Sequence, residues 1–404
     1  MFLFADPVTC RSCDGLMEKE NLVPRSNLLL AVSLTASASI VVAEPVLNAQ
    51  ELKGPVTAAQ PAGPPEPVAN VEAAEARAAA LRLADLLDEN YADPAIATRY
   101  AAALRKKASQ AGYDAAGTRS ALAAALTADL RDVSEDKHLR VLLAPSKPGS
   151  GGPGTSGPPN IPQAVEEPRW LAPGVAYVRL NLFPGKPEGV EAARRFMTEH
   201  ADARTMIFDL RNHRGGGLAE MDVIFPYLFE RPTRLLAMDT RGSVARASKA
   251  PPNMGLTLRT VPAEGDIVRR EHVVVPHPTE RRLFNARVFV LTSEMTFSAA
   301  EHFTLALRRT GRATLIGEPT GGGGNFGGMR EIGSGLAAFI PIGTTRDPET
   351  GARWDGNGIE PHVRVKAEEA LVEALVRSGI APLEAKRISA TVRATGPMRR
   401  KQTS

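Results

Sequence analysis

Acyl transfer needs a nucleophile, a base and donors for the oxyanion, and this chain offers a hydroxyl in a favourable setting. It is Ser298, within Thr292-Ser-Glu-Met-Thr-Phe-Ser-Ala-Ala-Glu-His-Phe303. Ahead of it, Arg287-Val-Phe-Val-Leu-Thr292 is a β-branched and aromatic run that reads as a buried strand. Behind it, Ala299, Phe303, Ala306 and Leu307 recur at helical spacing. Ser298 therefore sits where a strand turns into a helix, and the unpaired N–H groups of the first helical turn face whatever it attacks. Ser298 followed by Glu301 also fits a capping box, which requires no chemistry.

A hydroxyl nucleophile needs a base, and the histidines stand at 138, 200, 213, 272, 277, 302 and 362. His302 is one helical turn past Ser298, where its ring points back along the chain. His138 lies in a polar turn before the apolar run Val141–Leu143, and His213 adjoins a glycine turn; both remain open as the base. No lysine occurs between Lys249 and Lys366, which argues against a Ser–Lys dyad. The glycine turn, Asp209-Leu-Arg-Asn-His-Arg-Gly-Gly-Gly217, lets backbone N–H groups approach an anion or oxyanion closely. Its glycine spacing is not that of a dinucleotide site. The loop Trp354-Asp-Gly-Asn-Gly-Ile-Glu-Pro-His362 adds two carboxylates, Asp355 and Glu360, either of which can cap its own turn or orient an imidazole.

Around these residues the chain alternates strands and helices. The pattern predicts strands at Val175–Leu180, Thr205–Leu210, Ala313–Ile316 and Leu336–Pro341. Helices are predicted at Gly189–His200, Leu218–Phe229 and near Ala367–Val376, giving a layered α/β core over residues 169–380. Three helical patterns at 71–143, one of them carrying Leu81, Leu83, Leu86 and Leu87, form a helical module in front of it. Pro-rich linkers are expected at 44–70 and 144–168, and a basic tail at 381–404. The glycine run Gly321–Gly324 is a candidate for a mobile flap.

The first 43 residues read as a leader: an apolar run over 27–43 follows Arg25 and ends in small residues, which predicts export to the periplasm or outside. With 404 residues and 43% hydrophobic content the chain can bury one large core or two modest ones. The formal net charge of +4 owes much to Arg399-Arg-Lys401, where no aromatic residues interleave the charges, so nucleic acid is not an expected partner. The cysteines, Cys10 and Cys13, form a single CxxC near the start. That excludes a disulfide framework and a thiol nucleophile in the rest of the chain, and no metal or other cofactor is expected.

Four segments together resemble the tail-specific (C-terminal processing) and tricorn-like serine peptidases, which include the interphotoreceptor retinoid-binding repeats. They are Asp136-Lys-His-Leu139, Asp209-Leu-Arg211, Thr296-Phe-Ser-Ala-Ala-Glu301 and Gly317-Glu-Pro-Thr-Gly321, followed by Gly358-Ile-Glu-Pro361, and they span roughly 71–377. The resemblance implies a crotonase-like core of ββα units behind a helical-bundle domain. It implies Ser298 as nucleophile, His138 as base and Asp355 as orienting acid, with Gly215 or Gly216 and the Ala299 N–H as the oxyanion hole. A peptide or protein would be the substrate, and a non-hydrolysing binding protein for an apolar ligand or peptide is the alternative on the same scaffold. The sequence departs from the family's pattern at Lys137, where a glycine is usual, at His213, where an asparagine is usual, and at Asp355, one methylene shorter than the usual glutamate.

Overall fold

The computed structural model describes residues 70–144, 163–247, 257–392, 396 and 398. The leader, both cysteines, nearly all of the first linker and the Arg399–Lys401 run fall outside these residues.

Three helices open the described chain: α1 (Ala73–Asn90), α2 (Pro94–Ser109) and α3 (Arg119–Val133). Asp93 starts α2, its carboxylate accepting from the Ala95 and Ile96 N–H groups at 2.9 and 3.1 Å with Pro94 in the first turn. Thr118 caps α3 through the Ala121 N–H. Leu83 and Leu87 of α1, Leu104 of α2 and Leu126 of α3 are buried at helical spacing, whereas Leu81 lies on the exposed side. Strand β1 (Arg140–Leu143) then leaves the module and joins a sheet of the main body.

Next come β2 (Val165–Ala172), β3 (Val175–Leu180), α4 (Pro187–Glu199), β4 (Thr205–Asp209) and α5 (Ala219–Ile224). They are followed by β5 (Thr233–Arg241), α6 (Gly242–Ala247), β6 (Leu258–Val261) and β7 (Ile267–Val274). The Ser298 unit is β8 (Arg287–Thr292) and α7 (Ala299–Arg309). The rest is β9 (Thr314–Gly317), β10 (Asn325–Gly333), β11 (Leu336–Arg346), β12 (Val363–Arg364), α8 (Ala370–Arg377) and α9 (Pro382–Ala390).

The strands form two sheets. One runs β12-β9-β8-β4-β3-β2, parallel except for β2, which is antiparallel to β3 at its edge. Every residue of β3 and β4 is buried, as expected for strands covered on both faces. Ala176, Val178 and Phe208 face a core shared with α4 and α7, while Val175, Tyr177 and Ile207 face α8 and α9. The other sheet is antiparallel, β1-β11-β5-β7-β6 with β10 also on β11. Leu336, Ala338 and Ile340 of β11 belong to the core of the N-terminal helices, so the helical module shares both a sheet and a core with the main body.

This arrangement corrects the expected crotonase-like core. Among the described residues, β2-β3-α4 is the one strand-strand-α-helix succession whose two strands pair with each other. In β4-α5 and β8-α7 one strand feeds each helix, and β5–β7, β10 and β11 pair elsewhere in their own sheet. The sequence pattern gives alternation of strands and helices but not which sheet a strand enters, which is a long-range pairing. The chain also has more order than the linker and tail expectations allowed. β2 starts at Val165, inside the stretch read as linker, and α9 docks the stretch read as tail through buried Ala385. Among the described residues, no helix is long and apolar enough to cross a membrane.

Candidate active site

The Ser298 turn is stitched to the end of β4. Thr296 Oγ1 donates to the Leu210 carbonyl at 2.8 Å, Ser293 Oγ donates to the Arg211 carbonyl, and the Phe297 N–H donates to the His213 carbonyl at 3.0 Å. Phe303 of α7 is fully buried against Phe208 and Phe225, which fixes the helix behind the turn. Held from both sides, Ser298 adopts φ 60° and ψ −122°, a left-handed conformation unusual for a residue with a side chain. Such strain costs about 1–3 kcal/mol and persists where the surroundings over-determine it.

Glu301 secures the turn from within. Its fully buried carboxylate accepts from Thr320 Oγ1 (2.6 Å) and the N–H groups of Gly322 (2.7 Å), Gly323 (2.7 Å) and Ser298 (2.9 Å). Burial pushes its pKa up, and these four donors oppose that by favouring the ionised form. The capping-box residue thus ties the glycine run to the serine turn. Gly321–Gly324 is clamped rather than poised as an untethered flap.

The glycine turn forms the floor. Gly215 and Gly216 have φ of +109° and +130°. A methyl group on Gly215 would meet Ser298 Cβ at 2.7 Å, and one on Gly216 would meet the Phe183 carbonyl oxygen at 2.0 Å. His213 is fully buried beneath this turn, edge-on to Phe183. Its Nδ1 accepts from the Gly215 N–H at 3.0 Å, and burial lowers its pKa to about 3. The imidazole is therefore neutral with its proton on Nε2, and its one lone pair already serves the backbone. That leaves nothing for a serine hydroxyl, so the geometry disfavours His213 as a base.

The same bond commits the Gly215 N–H, and the Gly217 N–H donates to the Phe183 carbonyl at 2.7 Å. Among the hydrogen bonds of the described residues, neither the Gly216 N–H nor the Ala299 N–H has an acceptor. Both residues line, with Ser298, a cavity of about 170 Å³. Of the donors named from the sequence, the Gly215 N–H is thus committed within the protein, while those of Gly216 and Ala299 have no acceptor among the described residues.

His138 does not line this cavity, but it abuts residues that border it. Its ring packs against Phe297, the residue before Ser298, at 4.5 Å between centroids, and against Phe339 at 5.3 Å. A methyl on Gly323 would lie 2.5 Å from His138 Cε1, so the glycine run touches the imidazole. Asp136 holds the backbone here, its Oδ1 accepting from the His138 N–H while Oδ2 accepts from Tyr91 and Asn325. Asp355 sits at the next glycine: its Oδ1 accepts from the Gly324 N–H at 3.1 Å and its Oδ2 from Arg353 Nε at 3.1 Å. Burial raises the Asp355 pKa, with the Arg353 guanidinium opposing it. Lys137 reaches the Gly321 and Gly356 carbonyls at 2.9 and 2.7 Å, so this departure from the usual glycine braces the glycine run against the acidic loop.

Sequence reasoning missed a second buried group. Asp222 Oδ1 lies 3.0 Å from His272 Nε2, and His272 Nδ1 lies 2.8 Å from His302 Nε2. A carboxylate accepts only, so the His272 Nε2–H donates to Asp222. Burial, then the neighbouring His272, drive the His302 pKa well down. His302 lines the same cavity as Ser298. Nothing local marks His272 or Asp222, because strand pairing alone brings β7 opposite α7. Among the described residues no group of three or more His, Cys, Asp and Glu could hold a metal ion.

Residues 174–365 match Peptidase family S41, and residues 71–172 match the N-terminal domain of that family in eukaryotic IRBP. The chain belongs to peptidase family S41. Among curated proteins, this S41 chain is 27% identical over 205 residues to the chloroplastic carboxyl-terminal-processing peptidase 3 of Arabidopsis thaliana. That match covers 50% of the chain and 34% of the relative, so the chain spans about a third of the relative's length. A solved candidate peptidase of Parabacteroides merdae shares its fold, with 18% identity, 77% of this chain and 98% of that one covered, and a TM-score of 0.50. The photosystem II D1 C-terminal processing protease aligns at 19% identity over 48% of this chain and 43% of its own, with a TM-score of 0.35. The fold seen here is thus the α/β fold shared with the Parabacteroides merdae protein, in place of the crotonase-like one expected.

Proposed function

We propose that this chain is a serine peptidase that cleaves peptide bonds by acyl transfer. The Ser298 hydroxyl adds to the peptide carbonyl as His138 takes its proton. Asp355 orients the imidazole, and the N–H groups of Gly216 and Ala299 receive the oxygen that gains charge. The returning proton releases the amine, and water then repeats the sequence on the acyl-enzyme. The observation that carries this reading is the strained Ser298 backbone at the start of α7, sharing one cavity with two backbone N–H groups that have no acceptor among the described residues. Membership of family S41 supports it. Export, read from the apolar segment at 25–43, belongs to the same proposal, as does division into a helical module at 71–143 and a core at 169–380.

A fluorophosphonate probe tests the nucleophile. The wild type is expected to be labelled, and Ser298→Ala to lose both labelling and peptide hydrolysis. A folded wild type that takes up no label points instead to a non-hydrolysing binding protein. Labelling that survives His138→Ala but not His213→Ala would overturn the assignment of the base.

A further inference from the structure

The lining of the Ser298 cavity carries one charged side chain among the described residues, Arg270. On β7 the side chains alternate faces. Arg269 pairs with Asp239 at 2.6 Å and Glu271 with Arg234 at 3.4 Å on one face. Arg270 and His272 belong to the other, where Arg270 stands opposite Met238 of β5 and Thr260 of β6. Among the described residues Arg270 has no hydrogen bond and no ion pair, and its Nε is buried without an acceptor. Trp354 lines the same cavity, and its buried Nε1 also lacks an acceptor.

Two unmatched donors, one of them cationic, thus belong to a cavity whose lining also includes the apolar Met238, Leu258 and Phe326 and the uncharged Thr240, Asn325 and Thr345. Buried donors are ordinarily paired, so the missing partner is an acceptor that arrives with the ligand. The planar guanidinium matches a carboxylate in charge and in fork geometry. At about 170 Å³ the cavity is the size of a side chain, below the ~300–1,000 Å³ of most small-molecule sites.

We propose that Arg270 is a specificity-determining residue that binds a peptide carboxylate beside the scissile bond. The carboxylate is either an Asp or Glu side chain or the chain's own C-terminus. This rests on the peptidase reading for the word substrate, but the binding preference stands or falls separately.

The test uses Ser298→Ala protein, which binds without turnover, and fluorescent peptides of one sequence measured by anisotropy. One has a central Glu and an amidated end, one a central Gln and an amidated end, and one a central Gln and a free C-terminus. The expected result is binding at least tenfold tighter for one carboxylate peptide than for the neutral one, and which of the two gains identifies the source. Adding Arg270→Gln is expected to erase the difference, with unchanged circular dichroism as the folding control. Should that variant fail to fold, Arg270→Lys is expected to keep the preference at reduced strength, and salt titration to weaken it. Equal binding of all three peptides, or a preference that Arg270→Gln leaves intact, overturns the proposal. Fluorophosphonate labelling of the wild type reports on the peptidase reading alone, so the two failures are distinguishable.

Discussion

The two walls of the Ser298 cavity are made differently. One is backbone: the Ser298 turn, the Gly215–Gly217 floor and the glycine run, all held by hydrogen bonds to His213, Glu301 and the end of β4. The other is side chain: Met238, Leu258 and Arg270 from the antiparallel sheet, with His302 backed by His272 and Asp222. Backbone donors have fixed positions and cost little to reorganise, which suits charge that develops during a reaction. Side chains on a sheet can be exchanged without moving the backbone, which suits recognition. Substitutions in the first wall should therefore cost catalysis or stability, and those in the second should change which peptide is preferred.

The largest effect is expected at the floor. In Gly216→Ala the new methyl group meets the Phe183 carbonyl at 2.0 Å, so the turn must shift and its N–H moves away from the oxyanion. A fall in kcat of about 10²–10³-fold, or about 3–4 kcal/mol in the barrier, is expected from steady-state kinetics. An unchanged kcat would remove Gly216 from the donor set.

Glu301→Gln comes next. A carboxamide turns an N–H₂ toward donors that now meet a carboxylate oxygen, leaving at least one buried N–H unmatched. Urea unfolding should show a loss of about 1–3 kcal/mol. A neutral result would mean that the clamp adds nothing to the fold.

His213 gives a pH signature. Its folded pKa, about 3, lies below the ordinary 6.5, so the unfolded chain binds its proton first as pH falls. The stability this group supplies is present above about pH 6.5 and is lost on acidification toward pH 3, at up to ~1.4 kcal/mol per pH unit. His213→Asn should flatten the slope of stability against pH by one proton across that window. An identical slope would show that His213 is not held neutral. The smallest effect is expected for Lys137→Met, which removes two hydrogen bonds to carbonyls at the half-open edge. A stability loss of about 1 kcal/mol, read in the same unfolding assay, would mark the brace as structural.

Elements with a local signature were legible in the sequence. The strand before Ser298 and the helix after it fall where periodicity puts them, as does strand Val175–Leu180. The glycine turn was legible because no other residue tolerates φ near +130° against a neighbouring carbonyl. Glu301 was visible only as a capping residue. That it holds Gly322 and Gly323 as well depends on a segment about twenty positions away.

The sequence by itself determined that a serine stands at a strand-to-helix turn, with glycines and histidines available to serve it, because spacing and residue type are local properties. Tertiary structure alone decided the rest. Burial and one backbone N–H made His213 a neutral prop, strand pairing put Arg270 into the Ser298 cavity and His272 beside His302, and the division of strands between two sheets replaced a repeated ββα core. Each of these depends on contacts between distant residues, and long-range pairing leaves no periodic trace in the chain.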